Sequence, residues 1–77
     1  MPKITPTDYR IQKKVFEKVG FIHVRTKGDH MILEKQGVLR PVVIPAYKEV
    51  PVFIIKNNLR TANMTNKEYF QLLRKKS

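Results

Sequence analysis

The spacing of apolar positions along the chain changes twice. Ile11, Val15, Phe16 and Val19 recur at helical intervals, while Arg10, Lys13, Lys14 and Lys18 occupy the other faces. Thr5 is expected to cap that helix, with Pro6 in its first position, Asp8 in its first turn and Gly20 as a left-handed stop. From Phe21 the period becomes two: Ile22, Val24 and Thr26 alternate with His23, Arg25 and Lys27. Gly28-Asp29 is a two-residue hairpin signal, His30 to Lys35 runs back, and Gln36-Gly37 turns into a third strand over Leu39 to Ile44. Pro41 cannot donate to a ladder, so that strand belongs at a sheet edge. Helical spacing returns after Pro51, where Val52, Ile55, Leu59 and Ala62 share a face and Asn63 can stop the helix. Thr65-Asn66-Lys67-Glu68 is a capping box, with Met64 and Tyr69 placed to staple it, and a short last helix runs out into Arg74-Lys75-Lys76.

This order predicts an α+β fold: helix, three-stranded antiparallel meander, helix and short C-terminal helix, with the helices on one face of the sheet. Counting outward from Gly28-Asp29 sets Lys27 opposite His30, Thr26 opposite Met31, Arg25 opposite Ile32, Val24 opposite Leu33 and His23 opposite Glu34. Ile22, Val24, Thr26, Met31 and Leu33 then face the helices, the apolar ones forming a core with Ile11, Val15, Ile55 and Leu59. His23, Arg25, Lys27, His30, Ile32 and Glu34 form the opposite, open and basic face.

The length of 77 residues fits one domain over 1–77. With no cysteine there is no disulfide and no thiolate metal site. No apolar run reaches the roughly 20 residues of a membrane span. Charge is dispersed through Met1 to Gly20, which points away from a signal peptide and toward a cytoplasmic protein. The 16 basic residues against 6 acidic ones give a net charge of +10, which calls for a polyanionic partner, nucleic acid or an acidic protein.

Two histidines without a second ligand motif give no metal site, the only serine is Ser77, and the three glycines are too scattered to cradle a phosphate. His30 is the candidate for chemistry. The register sets it across from Lys27 and diagonal to Arg25, where an imidazole can exchange a proton with a ribose hydroxyl while cations stabilise the phosphorane. The alternative is a histidine that merely starts a strand. Lys48, Lys56 and Arg60 are candidate RNA-binding cations, or else a solvated face. Of the tyrosines, Tyr47, in the loop after the third strand, is the candidate base contact. Tyr69 belongs to the staple and Tyr9 to the core rim.

The ordered set Gly20-Phe21, Val24-Arg25-Thr26-Lys27-Gly28-Asp29-His30, Arg40-Pro41-Val42-Val43-Ile44-Pro45, Ile54 to Ala62, Met64-Thr65 and Glu68-Tyr69-Phe70 resembles the HicA (YcfA-like) mRNA interferase toxins. The resemblance implies a double-stranded-RNA-binding-like fold, metal-independent cleavage of mRNA without a small-molecule cofactor, and a HicB-type antitoxin as partner. The family's histidine, in a Gly-Ser-His turn, maps onto His30. Asp29 stands at the serine position, and Tyr47 stands in the loop where many members carry a second histidine. A non-catalytic double-stranded-RNA-binding domain shares the element order, but such domains present lysines at the start of the second helix, where this chain has Val50-Pro51-Val52-Phe53. The net charge also allows a ribosome-associated protein, which no motif supports.

Overall fold

The computed structural model describes residues 3–74; Lys75, Lys76 and Ser77, the end of the basic tail, lie outside them. The order of elements is α1 (Tyr9–Lys18), β1 (Ile22–Lys27), β2 (His30–Glu34), β3 (Val42–Pro45), α2 (Val52–Thr61) and α3 (Asn66–Arg74). The strands form an antiparallel sheet in the order β1-β2-β3, which is the expected α+β meander with its flanking helices.

Helix α1 begins later than the sequence suggests. Its cap is Asp8, whose side chain accepts from the Arg10 backbone N–H at 2.8 Å, and not Thr5. Thr7 is already committed elsewhere: it exchanges backbone hydrogen bonds with Val50, which holds the chain extended up to the cap. The backbone N–H of Arg10, its guanidinium and, more weakly, the charge of Lys48 hold the Asp8 carboxyl below its ordinary pKa. The buried face of α1 runs through Gln12, Val15 and Phe16. Ile11, expected in the core, is 45% exposed, because Gln12 takes the inward position beside it. The nitrogen of the buried Gln12 amide donates to the Tyr69 hydroxyl of α3 at 2.6 Å, while its buried Oε1 has no partner among the described residues.

The core joins Val15, Phe16 and Phe21 to Met31 and Leu33 of β2, Val42 and Ile44 of β3, Ile55 and Leu59 of α2, and Met64 and Tyr69. The rings of Phe16 and Phe21 meet edge to face at 5.8 Å. Tyr9 packs at the core's margin, as expected. Helix α2 starts directly after Pro51 and ends before Asn63, whose φ of 54° is the left-handed stop its position predicts. The capping box is present: Glu68 N–H donates to Thr65 Oγ1 at 3.1 Å, and Thr65 N–H donates back to Glu68 Oε1 at 3.0 Å. The Thr65 N–H and, after it, the Thr65 hydroxyl, both donating to Oε1, hold the Glu68 carboxyl below its ordinary pKa.

The β1–β2 ladder follows the counted register from Lys27–His30 through Arg25–Ile32 and then slips. Val24 is an extra residue, so His23 pairs with Leu33 instead of Glu34, and Ile22 pairs with Glu34. Two residues expected in the core are therefore outside it: Ile22 is 67% and Val24 45% exposed. Both line a shallow groove with Leu39 and Pro41. His23 hydrogen-bonds Thr26 Oγ1 at 2.8 Å, in place of the expected pairing with Glu34. The physical reason is coverage. The helices rest on the β2–β3 side and β1 hangs beyond them, with no buried residue of its own. Nothing is there for a regular register to bury Val24 against, and a bulge on an edge strand also blunts pairing with other chains.

β3 starts at Val42, three residues later than the pattern suggests, because Pro41 has no N–H to give and Leu39 is fully exposed. It is an edge strand, as Pro41 predicts, and its edge is partly covered: the buried Asn58 amide of α2 donates to the Val43 carbonyl at 2.9 Å. That bond fixes α2 alongside β3 and sets up the site.

Candidate nucleic-acid cleft

His30 begins β2, immediately after the Gly28-Asp29 turn, where Gly28 supplies a φ of 62°. Strand alternation sends Met31 and Leu33 into the core and His30 to the other side, where Lys27 faces it across the ladder. The imidazole side chain is 46% exposed, and its Nδ1 lies 2.8 Å from Asp29 Oδ1. A carboxylate only accepts, so Nδ1 carries the hydrogen of that bond. In the neutral ring this leaves the lone pair on Nε2, the nitrogen directed away from Asp29.

His30 does not stand on an open face. It lines a cleft of about 510 Å³ with Pro41, Val43 and Pro45 of the β3 segment and with Phe53, Lys56, Asn57 and Arg60 along α2. The floor is apolar and rigid, since Pro45 pairs with His30 and Val43 is tied to Asn58. The wall is cationic. None of the lining residues is a carboxylate, which makes the cleft suited to an anion.

Of the sequence candidates, His30, Lys56 and Arg60 come together in this cleft, whereas Arg25, Lys27, Lys48 and Tyr47 do not line it. Lys27 and Arg25 extend the basic surface across β1, in the register expected of them. The loop carrying Tyr47 and Lys48 is pinned at its start. Ala46 N–H donates to the Asp29 carbonyl at 2.7 Å, and Tyr9 N–H donates to the Tyr47 carbonyl at 3.0 Å. The Tyr47 ring is exposed, and Lys48 lies near Asp8 at the start of α1. Phe53 and Asn57 escaped the sequence reading. Their signal was the spacing of Phe53, Lys56, Asn57 and Arg60, which places all four on one stripe of α2.

Comparison with known proteins gives the arrangement a family context. The model of the family described as the HicA toxin of bacterial toxin-antitoxin matches residues 10–64, from α1 past the end of α2. No curated protein matches the chain.

Proposed function

Because the chain belongs to the HicA toxin family, we propose that it is a cytoplasmic, metal-independent endoribonuclease that cleaves mRNA and is neutralised by a HicB-type antitoxin. The observation that carries this reading is the Asp29-oriented His30 imidazole in a cleft walled by Lys56 and Arg60. In the proposed reaction Nε2 of His30 takes the proton of a ribose 2′-hydroxyl. The 2′-oxygen bonds to the adjacent phosphorus, the bond to the 5′-oxygen breaks, and solvent reaching the open cleft protonates the leaving oxygen. The products are a 2′,3′-cyclic phosphate and a 5′-hydroxyl. Asp29 stabilises the imidazolium formed on the way, and Lys56 and Arg60 stabilise the charge on the phosphorane. Arg25, Lys27 and Lys48 hold flanking phosphates, and Tyr47 contacts a base. A net charge of +10 also suits an acidic antitoxin.

The test is cleavage of a labelled mRNA by purified protein in the presence of EDTA. His30→Ala is expected to lower the rate by about 10²–10⁴. Its unfolding free energy should fall by less than about 1 kcal/mol, because a half-exposed side chain contributes little packing. The variant should also relieve growth arrest. Undiminished cleavage by the His30→Ala protein would remove this residue from the mechanism. Binding of RNA by the wild type without cleavage would favour the non-catalytic module.

A further inference from the structure

Helix α2 separates its apolar residues in an unusual way. Ile55 and Leu59 are buried in the core, yet Phe53, the largest apolar side chain of the helix, is 72% exposed. Exposing a phenyl ring is unfavourable, and here the ring stands among groups that give it a use. At 100° per residue Phe53, Lys56, Asn57 and Arg60 fall within one arc of about 100°, centred roughly 130° from the Ile55 and Leu59 side of the helix. All four line the cleft opposite His30. The bond from Asn58 to the Val43 carbonyl holds that arc in place, so the ring is presented by a fixed helix and not by a mobile loop.

We propose that this cleft is a subsite for one unpaired nucleotide of RNA, its base stacked on Phe53 and its phosphate held between Lys56 and Arg60. The inference rests on the ribonuclease reading and adds the substrate class: single strands and loops, not duplex. The chemistry selects this ligand. An aromatic face with two cations one helical turn apart is the pairing that single-strand binders use, stacking for the base and charge for the backbone. A volume of about 510 Å³ lies within the range that holds a ligand of nucleotide size. The amide of Asn57 sits on the same stripe and can meet the edge of a stacked base. A paired base keeps both faces against its neighbours and cannot reach the ring.

The test uses the full chain and a 2′-O-methylated RNA oligonucleotide, which binds but lacks the attacking hydroxyl. Its affinity is measured by fluorescence anisotropy as a single strand and within a duplex of the same sequence. The wild type should prefer the single strand. Phe53→Ala should weaken single-strand binding by about 5- to 150-fold, the effect of losing one stacked base. It should leave duplex affinity and the salt dependence unchanged, and Phe53→Trp should restore the loss. Lys56→Ala should instead reduce the slope of log affinity on log salt by about 0.7. Equal single-strand affinity for the Phe53→Ala protein, or an equal loss on duplex, would overturn the proposal. So would a Phe53→Ala toxin that binds RNA normally but escapes its antitoxin, since the ring would then be a protein contact. The two readings fail separately. A wild type that shows the Phe53-dependent preference but leaves unmodified RNA intact would refute the nuclease and keep the subsite. Cleavage with no Phe53 dependence of binding would do the reverse.

Discussion

The two faces of β2 carry side chains drawn from one five-residue strand, yet they face opposite demands. On the inner face Met31 and Leu33 are buried with Val42 and Ile44 of β3 beneath the helices. On the outer face His30 is half exposed, bonded to Asp29 and opposite Lys27, at the floor of a cationic cleft. The strand's alternation separates the two. A change at Met31 or Leu33 alters stability, while a change at His30 alters charge or chemistry with little effect on packing; Ile32, expected on the open face, is only 8% exposed and counts with the packed residues. Functional residues on the outer face are thereby held by a backbone whose rigidity comes from the residues between them.

The largest effect expected of this separation is on the inner face. Leu33 is fully buried, and Leu33→Ala should cost about 2–5 kcal/mol through lost apolar contact and the cavity left behind. A domain of 77 residues has only about 4–12 kcal/mol of stability to lose. The urea midpoint should therefore fall steeply, and a substantial unfolded fraction could be present in water. A variant within about 1 kcal/mol of the wild type would mean that β2 is not the centre of the core.

The outer face should respond in the opposite sense. Arg25→Ala combined with Lys27→Ala should shift stability by about 0.5 kcal/mol or less per site, since both side chains lie on the exposed strand β1. RNA affinity should change instead. If five cations each neutralise one phosphate, the slope of log affinity on log salt starts near −3.5 and should flatten by about 1.4 in the double variant. An unchanged slope would detach β1 from the RNA path and confine binding to the cleft.

How much of this was legible in the sequence depended on how local the determining interaction is. The Thr65–Glu68 capping box, the left-handed Asn63 and the register beside Gly28-Asp29 are set by neighbours within a few residues, and each is where the pattern puts it. That is why His30 could be placed across from Lys27 by counting alone. Ile11 was misplaced because the inward position of α1 belongs to Gln12, whose partner Tyr69 lies 57 residues away. No periodicity of apolar residues can report a buried amide bonded across the fold. The cleft had the same difficulty. Lys56 and Arg60 could be named, but Phe53 becomes informative only once the Asn58 bond to Val43 lays α2 along the β3 edge.

Val24 is the position at which the two faces can be told apart by the smallest effect. Alternation alone assigns it to the core beside Leu33, whereas the bulge leaves it 45% exposed on a strand the helices do not cover. Val24→Thr keeps the β-branched shape and exchanges a methyl for a hydroxyl. In a core that hydroxyl would lose water without gaining a partner, at a cost of about 1–3 kcal/mol. At an exposed edge it stays hydrated, and threonine is at home in a strand, so the change should be within about 0.5 kcal/mol. The matched control is Val42→Thr, because Val42 is fully buried, pairs with Leu33 and undergoes the same chemical exchange. Urea midpoints at constant m-value give both differences on one scale. The expected result is a clear loss for Val42→Thr and almost none for Val24→Thr. Equal losses would mean that the ladder runs regularly past Arg25 and that Val24 packs beneath the helices. His23 would then return to the outer face opposite Glu34, adding a second imidazole to the surface where His30 now stands without one.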